Sequence, residues 1–319
     1  MTGVAVVSGR RLAGRVIPGG REVGSMHSPR PGGPVLVGVE NRDHVEQLVR
    51  TGGDLASHGS GTVRVVTVAV KSHDSPFGVF SDETIRREFA ADSRKLLEQA
   101  VTPRDVTVER EIVVDRSATR GVLRAVEASE ASALVVGWRG HSRRTDAVLG
   151  TTVDTLVERA ACDLYVERVG REAGTVDAVL LPVAGGPHVR AAARAAKAIA
   201  ARNDARVRVL SVVADGVGRD AATEFVAEAR DELAAVPGPE IPVETTVRDA
   251  ASVTDGVVAA AADHDVLVLG VTRQGRLRQR LVGSVPNRVV AGTDATVILA
   301  RDGDAAGGVL SRLGSSLRR

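Results

Sequence analysis

Cysteine is almost absent from this sequence: Cys162 stands alone among 319 residues. A lone thiol excludes an intrachain disulfide and a cysteine-rich zinc site, and it fits a reducing compartment. Aromatic residues are also scarce, at 2%, with one tryptophan and one tyrosine. That leaves no set of rings on which single-stranded nucleic acid could stack. No apolar run approaches the ~18 residues of a membrane-spanning helix. No secretory leader is expected, because Arg10 and Arg11 follow a short apolar run instead of preceding a long one. A cytoplasmic location is expected, without a membrane span. Charge of one sign is lacking as well, with 42 basic against 40 acidic residues and a net charge of +2. Nucleic acid is therefore not an expected partner, and the basic run Thr272–Arg280 reads as a solvated loop. Methionine occurs at positions 1 and 26. Met26 stands just before the first predicted strand, which suggests that residues 1–25 are dispensable for folding or that translation starts at Met26.

What the chain does have is a repeat. "VLVGVENRDHV" from Val35 aligns with "VLLPVAGGPHV" from Val179, and "VRVVTV" from Val63 with "VRVLSV" from Val207, both at an offset of 144 residues. Farther on, Gly150 matches Gly283 at an offset of 133. The stretch Ser72–Glu83 accounts for most of the difference, since it has no good counterpart after Val213.

Each copy alternates short β-branched runs with helical spacing. The pattern predicts strands at Val35–Val39, Val63–Val70, Val106–Val114, Ala133–Val136 and Leu164–Val169. Helices are predicted at His44–Ala56, Ile85–Ala100, Thr119–Ser129 and Gly150–Ala160, and the second copy repeats the series. Apolar strands alternating with helices imply parallel strands covered on both faces. With right-handed crossovers, the fold class is α/β, two tandem doubly wound parallel-sheet domains of Rossmann-like type. The expected boundaries are a disordered extension at 1–33, domains at 34–170 and 176–301, and a flexible tail at 302–319. Val169–Val176 is the expected linker.

The most informative segment is "LVVGWRGHSRRTDAVLGTTVDTLVERA", Leu134–Ala160. Glycines at 137, 140 and 150 lie between a strand and a helix, followed by Thr151 and Thr152. Glycine lets backbone approach a ligand closely, and the unpaired N–H groups of a helix N-terminus attract anions. The competing reading is tight packing of helix on strand. Arg139, His141, Arg143 and Arg144 either add charge to this loop or are solvated surface. Neither a P-loop nor a G-x-G-x-x-G fingerprint is present, and no Ser-His-Asp signature of G-x-S-x-G type occurs.

Gly137-x2-Gly140-x9-Gly150-Thr151 resembles the G-x2-G-x9-G-[ST] signature of the universal stress protein family. The likeness extends over both copies, so the chain resembles a tandem member. The resemblance implies an ATP-binding regulatory protein, often dimeric, with no defined catalytic residues. It implies phosphate contacts from Gly137, Gly140, Gly150, Thr151 and Thr152, with Arg139 a further cofactor-binding candidate that adds charge to the loop. Glu40 would sit near the ribose or a Mg²⁺ ion, and the chain around Val68 and Val70 would meet the adenine. Where the family carries aspartate after its first strand, the first copy has Glu40 and the second has Ala184. In the second copy Gly270, Gly283 and Ser284 keep the outer spacing, but Arg273 stands where the middle glycine is expected. That arginine either blocks the approach or pairs with phosphate. The first copy is therefore the better nucleotide site. The two copies are expected to pair through their last strands as an intrachain pseudo-dimer, or the chain to form a homodimer, with an unknown protein partner reading the nucleotide state. Alternatives are a nucleotide-independent interaction module of transporter-associated type and, more remotely, an enzyme of adenylate chemistry. His44 and His188 are equivalent by the repeat and expected to serve the start of a helix. Cys162 reads as a small buried apolar group.

Overall fold

The computed structural model describes residues 32–71, 80–138, 151–170, 175–214, 216–271 and 284–305. They form one ten-stranded sheet built from two halves. The first half contributes β1 (Val35–Gly38), β2 (Thr62–Val70), β3 (Thr107–Asp115), β4 (Ala133–Gly137) and β5 (Asp163–Arg168). The second contributes β6 (Ala178–Pro182), β7 (Arg206–Val213), β8 (Val243–Asp249), β9 (Val266–Gly270) and β10 (Thr296–Arg301). The order is β3-β2-β1-β4-β5-β10-β9-β6-β7-β8. Pairing is parallel within each half, and β1 lies between β2 and β4, the reversal of strand order that opens a crevice at the carboxyl ends.

Two apolar layers cover the sheet, each drawn from both halves. On one face α1 (Val45–Ser57) and α6 (Val189–Asn203) bury Val45, Leu48 and Ile199 over Val37, Tyr165 and Val209. On the other, α4 (Ala118–Ala128), α5 (Thr151–Arg159), α8 (Val253–Ala261) and α9 (Ser284–Gly292) cover Leu36, Leu134 and Leu267. The inner strands β1, β4, β5, β6, β9 and β10 are buried because helices lie on both sides, which is why they read as continuous apolar runs. Ser117 and Ser252 cap α4 and α8 alike, each accepting from the backbone N–H three residues on.

One expected helix is interrupted. In place of Ile85–Ala100 the chain forms a short α2 (Asp82–Thr84), a π-helical turn at Ile85–Phe89 and α3 (Ala91–Glu98). Ala90 leaves helical geometry, with φ −99 and ψ 32. The Arg94 guanidinium takes over the carbonyls left open at the break, donating to Arg86 O at 2.5 Å and Arg87 O at 3.1 Å. Sequence periodicity could not reveal this, because an arginine on the same helix replaces the lost ladder bonds. The counterpart α7 (Arg219–Ala235) runs unbroken for 17 residues.

The halves meet through β5 and β10, paired antiparallel with Ile298 opposite Glu167 and Ala300 opposite Tyr165. The seam repeats itself about a pseudo-twofold axis. Arg168 donates to Thr293 O and Ala295 O at 2.6 and 2.9 Å. Its counterpart at the offset of 133, Arg301, donates to Ala160 O and Cys162 O at the same two distances. Likewise Gly170 N–H donates to Thr296 Oγ1 at 3.1 Å, and Gly303 N–H to Asp163 Oδ1 at 2.9 Å. The repeat thus generates a pseudo-dimer in which each half satisfies carbonyls of the other.

Asp302, where the sequence reading begins the tail, is buried and accepts from Arg190 Nε at 2.7 Å, while residues 303–305 form a helical turn. The expected extension lies almost wholly outside the described residues, as does the tail from 306 on. Among the described residues no helix is long and apolar enough to cross a membrane.

Candidate functional site

In the first half, the carboxyl ends of β1, β2 and β4 surround a cleft of about 370 Å³. That volume lies within the range of small-molecule sites, roughly 300–1,000 Å³. One wall is β1 running into its loop, with Gly38, Glu40 and Asn41. The Asn41 side chain accepts from Asp43 N–H and starts the 3-10 turn Arg42–His44, from which α1 continues. A second wall comes from β2, with Thr67, Val68 and Val70. The third is the end of β4 with the first turn of α5, bringing Gly137, Trp138, Thr151 and Thr152 to the same space. Val122 of α4 and Leu48 of α1 close the floor.

The glycine at 137 has a visible steric role. A Cβ there would lie 3.1 Å from Leu48 Cδ1 and 3.6 Å from His44 Nδ1. The backbone therefore lies against α1, as the packing reading of the motif expects, and it also lines the cleft. At the counterpart, a Cβ on Gly270 would meet His188 at 3.4 Å. The repeat uses glycine at this crossing in both halves.

Next to it, Trp138 is buried, and its backbone N–H donates to Glu167 O at 2.7 Å. The indole Nε1–H has no partner among the described residues. An unsatisfied buried donor beside a cleft is a group on which a ligand acceptor gains by binding. At the mouth, Glu40, Thr151 and Thr152 are exposed. The N-terminus of α5, whose first N–H groups have no partner within the helix, opens at Thr151.

Glu40, Val68, Val70, Gly137, Thr151 and Thr152 thus come together from four separate elements. Arg139, Gly140 and Gly150 lie outside the described residues, as do His141, Arg143, Arg144, Arg273 and Gly283. Gly270 ends β9 and Ser284 begins α9. Sequence reasoning missed Asn41 and Val122 as lining residues. It gave His44 the start of a helix, which it holds, but not its place against the cleft. The repeat could have pointed to His44, since both histidines precede a first helix that must cross a strand-end glycine.

No group of three or more His, Cys, Asp or Glu residues suited to a metal occurs among the described residues. Glu40 is a single carboxylate, so a hard cation held there would draw most of its oxygen ligands from a bound phosphate and water.

The second half differs at the matching place. Ala184 follows β6 where Glu40 follows β1. Gly185 has φ +72, and a Cβ on it would lie 2.7 Å from the Phe225 ring of α7. Phe225 therefore lies directly on the loop after β6. Matching Glu88-Phe89 to Glu224-Phe225 makes Phe89 its counterpart, which the π-helical turn carries to a 45% exposed position with its ring 5.0 Å from that of Phe80. The broken helix and the exposed Glu40 of the β1 loop occur in the same half.

The family model described as the universal stress protein family matches residues 33–168 and 175–301. No curated protein matches the chain. Among solved structures, a universal stress protein from Archaeoglobus fulgidus DSM 4304 is similar over 86% of this chain and 98% of its own, with 16% identity and a TM-score of 0.58. A functionally unknown protein from Pseudomonas aeruginosa PAO1 is similar over 89% and 97%, with 14% identity and a TM-score of 0.54. The cytoplasmic domain of a prokaryotic cation chloride cotransporter is similar over 85% and 96%, with 14% identity and a TM-score of 0.52. At such identities the likeness shows the fold.

Proposed function

This chain belongs to the universal stress protein family, and from that premise we propose that it is a regulatory protein that binds an adenine nucleotide in its first half. The observation that carries the reading is the cleft at the strand-order reversal, where Glu40, Val68, Val70, Gly137, Thr151 and Thr152 converge. ATP is the proposed ligand. Its phosphates would meet the N-terminus of α5 with Thr151 and Thr152, together with Arg139, Gly140 and Gly150 of the motif. Its base would rest on the apolar end of β2 at Val68 and Val70. Glu40 would accept from the ribose hydroxyls or hold Mg²⁺ through the phosphates. No catalytic residue is assigned, and bound nucleotide would act by setting the surface that a protein partner reads. The proposed domain limits are 34–170 and 176–301.

Calorimetric titration of the full chain with ATP and Mg²⁺ tests the reading. Saturable binding is expected at one nucleotide per chain, because Ala184 lacks the carboxylate and Phe225 covers the matching loop in the second half. Two equal sites would contradict the assignment to the first half, and the lack of any binding would leave the alternative, a nucleotide-independent interaction module. Glu40→Ala removes an exposed side chain with little effect on folding. It is expected to weaken ATP about tenfold, equivalent to ~1.4 kcal/mol, and to reduce the dependence on Mg²⁺. An unchanged affinity would remove Glu40 from the site.

A further inference from the structure

Glu167 is a fully buried carboxyl, the last residue but one of β5. Gln47 Nε2 of α1 donates to its Oε1 at 3.0 Å, and Thr51, one turn farther along α1, faces the same group. Its Oε2 has no partner among the described residues. A buried carboxylate that is only partly satisfied is costly, and it survives where it has a use.

Packing does not require it. The second half builds the same crossing from alanine, with Ala300 at the place of Glu167 and Ala191, Ala195 and Ala198 at the places of Gln47, Thr51 and Asp54. The polar stripe on α1 therefore belongs to the half that holds the cleft. It also reaches the cleft directly. The carbonyl of Glu167 accepts from Trp138 N–H, and Gly137 is its neighbour in register on β4. Gln47 adjoins Leu48, whose side chain lies against Gly137.

We propose that Glu167 is a proton-responsive positioning residue: gain or loss of a proton at its carboxyl alters how α1 seats on Gly137 and Trp138, and thereby tunes ligand affinity in the cleft. The neutral acid accepts from Gln47 and has its own O–H to donate. The ionised form instead draws on positive charge, and Arg50 of α1, itself 3.6 Å from Glu46, is near enough to favour it. The other ionisable neighbours are Asp54 farther along α1, which Arg202 of α6 approaches at 3.9 Å, and His44 at the cleft end of the helix. From β10 the seam presents Ile298 and Ala300, which do not titrate. Burial pushes Glu167 up to about 7, within the range where a small change of pH alters its charge.

The effect on affinity rests on the nucleotide reading above, whereas the effect on Trp138 does not. Trp138, the single tryptophan, reports the change in the full chain without nucleotide. Its emission is expected to follow one transition centred near neutral pH, and Glu167→Gln is expected to be flat across that range. Glu167→Ala, which copies the second half, is expected to be equally flat. Asp54→Asn should shift the midpoint downward but keep the amplitude. ATP affinity should change about threefold or more between pH 6 and 8 in the parent chain and stay constant in Glu167→Gln. A flat parent chain, a transition kept by both Glu167 variants, or one abolished by Asp54→Asn would overturn the proposal. If ATP does not bind at all, the nucleotide reading fails and the emission experiment still decides the role of Glu167.

Discussion

Tyr165→Ala is expected to lower the unfolding free energy of the chain by about 3–5 kcal/mol, the usual cost of truncating a buried aromatic side chain. Tyr165 is fully buried and belongs to both halves at once. It extends from β5 of the first half, and its hydroxyl donates to Ala191 O of α6, in the second half, at 3.3 Å. In register it faces Ala300 of β10. The neighbouring α6 face is mostly alanine, which has no longer side chain to swing into the void. The cavity should therefore collapse little, placing the loss toward the upper part of that range. Tyr165→Phe keeps the ring and removes one hydrogen bond, so about 1 kcal/mol is expected. Urea denaturation of both variants against the parent measures the difference. A loss below ~1 kcal/mol for Tyr165→Ala would mean that the seam is not packed as described.

The second large effect is on pH. Glu167 and Asp54 are both pushed up to about 7, from 4.5 and 3.8, with burial as the main cause. For Asp54 the nearby Arg202 and Arg50 oppose the rise without cancelling it. An acid with a raised pKa holds its proton in the folded chain where the unfolded chain has already released it. The folded state is therefore favoured below the unfolded values, and that advantage is lost as pH rises through about 7. The two carboxyls also interact, so their contributions do not simply add. Between pH 5 and 8 a combined fall on the order of 3 kcal/mol is expected. Urea midpoints at unit intervals of pH would trace it. The double variant Glu167→Gln, Asp54→Asn should flatten the curve, and a parent chain equally stable at pH 5 and pH 8 would contradict the burial of these groups.

Most of the strand layout was legible in the sequence because buried parallel strands must be apolar throughout. Val35–Val39 and Val179–Val183 show this plainly. The repeat offset also contained the seam, since Arg168 and Arg301 occupy matching places at a spacing of 133. Their partners could not be read, because a guanidinium bonded to backbone carbonyls leaves no mark on the residues that provide them. For the cleft, Gly137 and Thr151 were marked by their spacing, and Glu40 by its position after the first strand. Asn41 and Val122 were not, because they reach the cleft through the crossing of elements rather than through local pattern. Glu167 was read simply as part of an apolar strand. Its burial against the polar stripe of α1 appears once α1 is laid across β5.

The seam also sets how the sheet can grow. Joining β5 to β10 leaves β3 and β8 as the outer strands. Both are richly charged, and each is laddered to its neighbour by an arginine. Arg64 donates to Glu109 at 2.9 and 2.7 Å, and Arg208 to Glu244 at 3.1 and 2.8 Å. Charged outer strands discourage strand-on-strand addition by another chain. In a separate half, the edge at β5 or β10 would be apolar and adhesive. By tethering the two, the sequence makes each such edge find its complement within the same molecule, at a local concentration that dilution cannot lower. The two apolar edges thus saturate each other, and the edges left for a second chain to meet are the charged β3 and β8.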